Sequence, residues 1–111
     1  MTDEKILRLI IDRIAENIHP QRIILFGSWA RGERGSHSDI DIMIIKESDQ
    51  PRPQRYAEVR RLFWGLGIPL DILVYTPEEF ARYQVVPGSF THTVAYEGKV
   101  LYDGSGDRTG A

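Results

Sequence analysis

The run Asp39-Ile40-Asp41-Ile42-Met43-Ile44-Ile45 constrains the fold more than any other stretch. Side chains on a strand alternate faces, so Asp39 and Asp41 point the same way, about 7 Å apart. Ile40, Ile42 and Ile44 take the opposite face as core. Two carboxylates side by side repel, and keeping them together is costly unless a cation sits between them. A strand that begins with such a pair and continues apolar carries its chemistry at its first end.

Upstream, Arg22–Phe26 reads as a second buried strand, ending at Gly27-Ser28. With no Cβ, Gly27 lets the backbone come close to a ligand. Ser28 stands where a helix N-cap belongs, before Trp29-Ala30-Arg31, and the free N–H groups of that turn suit an anion. Arg31 could add a charge-assisted contact to the same phosphate. Taken alone, Gly-Ser is more simply an ordinary turn and Arg31 a surface charge; the spacing to Asp-x-Asp changes that balance. Hard oxygen donors beside such a turn point to magnesium and phosphate rather than zinc or a haem.

Composition narrows the setting. A chain of 111 residues, 41% hydrophobic and 27% charged, is expected to fold as one soluble globular domain. Its formal net charge of −2 gives no general attraction to nucleic acid. The absence of cysteine excludes disulfides and thiolate metal sites. The acidic start is unlike a signal peptide, and no apolar run approaches the ~20 residues of a membrane span. A cytoplasmic setting is expected.

The remaining elements follow in chain order. Leu7, Ile10, Ile11, Ile14 and Ile18 form an amphipathic stripe capped by Thr2 or Asp3 and stopped before Pro20. His19 is a solvated helix-end residue. The loop 32–37 is glycine-rich and polar, and its His37 could touch a nucleotide or acceptor. After a proline-bearing linker, a helix is expected with Tyr56, Val59, Phe63 and Leu66 inward, and with Arg55, Glu58, Arg60 and Arg61 on a solvated face. Residues 69–75 form a third strand, with Leu70, Ile72 and Val74 on one face and Asp71, Leu73 and Tyr75 on the other. Asp71 could be simply the exposed start of that strand. Thr76-Pro77-Glu78-Glu79 opens a helix with Phe80 and Tyr83 inward. Ser89 caps a last helix carrying Phe90, Val94 and Ala95, and Gly98 leads into an edge strand over residues 99–102. Tyr83, Val85, Val86 and Phe90 could exceed what a small sheet can cover and form a patch for another chain, or could simply pack over it. Residues 1–103 are expected to form the domain, with 104–111 a disordered tail.

The pairing Gly27-Ser28-x-Ala30-Arg31-Gly32 with Ser38-Asp39-x-Asp41 resembles the signature of the DNA polymerase beta-like nucleotidyltransferases, and among them the minimal nucleotidyltransferase group. The resemblance implies an α/β nucleotidyltransferase fold, a mixed sheet with packed helices. Strands one and two should run antiparallel, and two and three parallel through a helical crossover, so that Gly27, Asp39 and Asp71 meet. It makes Asp71 the third carboxylate and the best general base. Asp39, Asp41 and Asp71 would then hold two magnesium ions, with Gly27, Ser28 and Arg31 on the phosphates of ATP. Minimal nucleotidyltransferases are typically paired with a HEPN-type protein, in a module where they are the antitoxin. That implies adenylylation of a hydroxyl on such a partner. The alternative is a binding module that neutralises its partner by masking it.

Overall fold

Thr2 Oγ1 accepts a hydrogen bond from the Lys5 N–H at 3.2 Å and so starts helix α1 (Asp3–Ile18). The structure is a computed structural model that describes residues 2–33 and 39–104. Ile10, Ile11, Ile14 and Ile18 are buried along α1, as their spacing requires. The helix ends at His19, which is exposed and left-handed at φ 54°. The next elements are β1 (Arg22–Phe26), α2 (Gly27–Arg31), β2 (Ile40–Ile45) and α3 (Arg52–Arg60). A 3-10 turn (Arg61–Phe63) follows, then β3 (Leu70–Tyr75), α4 (Pro77–Gln84), α5 (Phe90–Glu97) and β4 (Lys99–Asp103). No helix among the described residues is long and apolar enough to cross a membrane.

The strands lie in the order β3-β2-β1-β4. β1 runs antiparallel to β2 and to β4, and β2 runs parallel to β3, which is the mixed arrangement expected. Alternation along each strand divides the core in two. Ile23, Leu25, Ile40, Ile42, Ile44, Leu70, Ile72 and Val74 pack under α1 and α3. Ile24, Met43 and Ile45 pack on the other face with Phe80 of α4 and Val94 of α5. Because helices cover both faces, β2 reads as a nearly continuous apolar run once past Asp41. β4 closes one edge, with an irregular register between Ile23 and Ile24. Gly98 sits where α5 meets β1, and a Cβ there would lie 2.6 Å from Ile24 Cγ2 and from the Val94 carbonyl oxygen. That spacing admits only glycine without a shift of the helix.

Several side chains face differently from the sequence expectation. α3 buries Arg55 and Val59, with Phe63 one turn further, and this leaves Tyr56 and Leu66 exposed. Arg55 is thus a core residue, 8% exposed, rather than part of a solvated face. Its Nε donates to the Gln50 carbonyl at 2.7 Å, and Nη1 donates to Glu79 Oε1 at 2.8 Å and to the Val74 carbonyl at 3.3 Å. Glu79 also closes a capping box with Thr76, taking the Thr76 N–H at 2.9 Å and giving its own N–H to Thr76 Oγ1 at 3.1 Å. A buried guanidinium is tolerated when its donors are matched in this way. In α4 and α5 the buried positions are Phe80, Thr91 and Val94, whereas Tyr83, Phe90 and Ala95 are exposed.

Candidate active site

Gly27 makes the turn out of β1, at φ +75°, a conformation that L side chains rarely adopt. A Cβ at this position would collide with Asp41 Oδ2. The backbone therefore passes against the Asp41 carboxylate, an approach that glycine alone permits. The helix that follows starts at Gly27 itself, with Phe26 as an extended N-cap that makes no side-chain hydrogen bond. Ser28 lies inside the first turn rather than at the cap, because the change of direction is made by Gly27. The Ser28 carbonyl accepts the Glu33 N–H at 2.9 Å.

Register brings the carboxylates together. Asp41 is directly opposite Phe26 on β1 and beside Asp71 on β3. Adjacent strands are about 4.8 Å apart, so Asp41 and Asp71 are close neighbours on the face covered further along by α4 and α5. Asp39 precedes the first residue of β2 and is exposed, as is Asp71, while Asp41 is half-buried. Burial pushes the Asp41 carboxyl above its usual range, the negative charges of Asp71 and Asp39 push it further, and Arg31 opposes them. The three expected carboxylates thus share one end of the sheet with Gly27.

The donor set fits a hard divalent cation, since all its atoms are carboxylate oxygens and their repulsion would be relieved by positive charge. Among the described residues no three His, Cys, Asp or Glu side chains form a ready-made metal cage. Magnesium commonly takes only one or two carboxylates and completes its shell with substrate phosphate and water, so the row remains a fitting partial site.

Arg31 makes an ion pair with Glu33, Nε to Oε1 at 2.9 Å. That hydrogen bond and the Glu33 charge hold its pKa above the usual value, slight burial opposes them, and Glu97 and Asp41 add to the rise. No sequence pattern marks Glu33 or Glu97. Only the proximity of Glu33 to Arg31 in the chain could have signalled it. His37 and Ser38 lie outside the described residues. Phe26, next to Asp41, meets Phe90 edge-to-face at 5.3 Å, which links the carboxylate row to α5. Beyond that contact Tyr83, Val85, Val86, Phe90 and Tyr96 are exposed, Val85 by 71% and Tyr96 by 77%.

Comparison with known proteins agrees with this geometry. The family model described as polymerase beta, nucleotidyltransferase matches residues 9–107. A Methanocaldococcus jannaschii protein provisionally named protein adenylyltransferase MJ0604 is 31% identical over 104 residues, covering 92% of this chain and 100% of that protein. A crystal structure of a provisionally assigned nucleotidyltransferase from Sulfolobus solfataricus superposes with a TM-score of 0.64 at 22% identity, over 89% of this chain and 78% of that one. A crystal structure of a toxin–antitoxin with AMP-PNP superposes with a TM-score of 0.62 at 25% identity, over 86% and 72% of the two chains.

Proposed function

The chain belongs to the polymerase beta nucleotidyltransferase family, and from that premise we propose that it transfers adenylate from magnesium-bound ATP to a protein hydroxyl. The observation that carries the proposal is Asp41 held between Asp71 in register and the Gly27 backbone. In this reading residues 1–103 are the catalytic domain and work in the cytoplasm. Asp39, Asp41 and Asp71 would hold two magnesium ions, and Gly27, Ser28 and Arg31 would take the β- and γ-phosphates. The ions supply positive charge to the phosphoryl oxygens and to the departing pyrophosphate.

The protein's own residues position the reactants and move the proton. The acceptor oxygen bonds to the α-phosphorus, the bond to the bridging oxygen breaks, and pyrophosphate leaves. Asp71, exposed at the end of the row, takes the acceptor's proton as general base. Charge on Arg31 would draw the triphosphate toward Gly27, whose backbone passes against Asp41.

The acceptor we propose is a HEPN-type toxin, with this chain as its antitoxin. The naming of the M. jannaschii relative as a protein adenylyltransferase, and the toxin–antitoxin structure with AMP-PNP, support that choice. The exposed side chains of α4 and α5 supply an apolar surface next to the site on which a protein could dock. The same surface favours a second reading, in which docking alone masks the partner. Incubation with ATP, magnesium and the HEPN-type partner, followed by mass spectrometry, separates the two. Transfer adds one or more adenylates to the partner, and none with Asp41→Asn. Equal inhibition by both proteins without a gain in mass would overturn it in favour of masking.

A further inference from the structure

Arg31 is already engaged beside the carboxylate row. Its pairing with Glu33 at 2.9 Å joins two side chains that are 48% and 65% exposed. The turn between them fixes the pairing: Gly32 is left-handed at φ 73°, and the Glu33 N–H is bound to the Ser28 carbonyl. Glu33 is thereby anchored by its own backbone to α2, with its carboxylate against the Arg31 guanidinium. Glu97 at the end of α5 and Asp41 on β2 also act on Arg31, more weakly than Glu33. Arg31 thus contacts Glu33 in the turn after α2 and feels the charges of Glu97 and Asp41 from further away.

We infer that Glu33 is a competitor for Arg31 that sets the affinity for the triphosphate. Glu33 holds the guanidinium in the nucleotide-free protein, and the incoming phosphates must take it over. This positioning role rests on the nucleotidyl transfer proposed above. The exchange is feasible because an exposed ion pair is weak, and a released Glu33 carboxylate returns to water without a desolvation penalty. The gain is a stronger contact, since a guanidinium can bind phosphate oxygens with two parallel N–H donors. The Ser28 carbonyl keeps the backbone of the turn in place while the side chains change partners.

Calorimetric titration of magnesium-ATP into the wild type, Glu33→Gln, Arg31→Gln and the double variant tests this. Glu33→Gln should tighten binding about two- to fivefold, the scale of an exposed ion pair, and Arg31→Gln should weaken it. In the Arg31→Gln background, Glu33→Gln should change nothing. In steady-state transfer the gain should appear in KM, with kcat unchanged. An unchanged or weaker affinity of Glu33→Gln would overturn the inference, because Glu33 would then be steadying Arg31 for the ligand. An equal gain in both backgrounds would also overturn it, since removal of negative charge near a polyanion would suffice. If wild-type binding depends on Asp41 but not on Glu33, the transfer reading stands and this inference fails. If no protein in the set binds ATP, both fall.

Discussion

At the C-terminal ends of the parallel strands, Arg55, Glu79 and Thr76 match opposite charges and hydrogen-bond donors. At the N-terminal ends Asp39, Asp41 and Asp71 bring like charges together. The two ends differ in the sign of their effect on the fold. Burial alone would raise the Glu79 carboxyl, but the hydrogen bonds from Arg55 and Thr76 and the charges of Arg55 and Arg52 hold it below its usual range. At Asp41 burial and neighbouring charge act in the same direction, upward. One end therefore stabilises the domain, and the other keeps repelling charge together.

Substitutions at the two ends should separate activity from stability. Asp41→Asn should lower transfer at least about a hundredfold, the scale of losing one electrostatic contact to transition-state charge. It should leave the metal-free fold intact, and circular dichroism beside an adenylate-transfer assay would show both. Arg55→Ala should do the reverse. It leaves Glu79 without its main partner and opens space between the linker, β3 and α4, costing about 2–4 kcal/mol in a urea melt. Loss of activity in that variant should follow loss of folded protein. Gly27→Ala falls between the two, combining a strained φ with a collision against Asp41. We expect about 1–3 kcal/mol of destabilisation with loss of ATP binding even where the protein remains folded.

The smallest expected effect is in pH dependence. The Glu79 carboxyl is depressed in the folded state, so its stabilisation is present above the unfolded value of about 4.3 and is lost as pH falls through the folded one. Asp41 is raised, so its contribution is fully present below the unfolded value of about 3.9 and is lost as pH rises through the folded one. Metal-free Asp41→Asn should therefore melt slightly higher than the wild type at pH 7, and the difference should shrink below about pH 4. A difference that grows on acidification would reverse the sign assigned to the carboxylate end.

The sequence shows the carboxylate end more clearly than the Arg55 end, for physical reasons. Asp39 and Asp41 announce themselves because a period of two places charge and isoleucine on opposite faces within one strand. The stripe of α1 is legible for the same local reason, whereas the pairing of β1, β2 and β3 follows from the need for Gly27, Asp39 and Asp71 to meet at one site. Arg55 and Glu79 are 24 residues apart, and their pairing depends on where α3 and α4 meet the end of β3. Nothing local distinguishes Arg55 from Arg60 or Arg61. The contact between Gly27 and Asp41 comes from antiparallel register, which periodicity does not supply. The same limit applies to Tyr83 and Phe90, whose exposure is decided by the way α4 and α5 pack on each other and on the sheet.

The central claim is that the row of Asp39, Asp41 and Asp71 is a site for ATP with divalent metal. Calorimetric titration of ATP into the wild-type protein, once with magnesium and once with a chelator, tests it most directly. We expect saturable binding with magnesium that is lost with the chelator and in Asp41→Asn. Equal affinity in magnesium and in chelator would contradict the account.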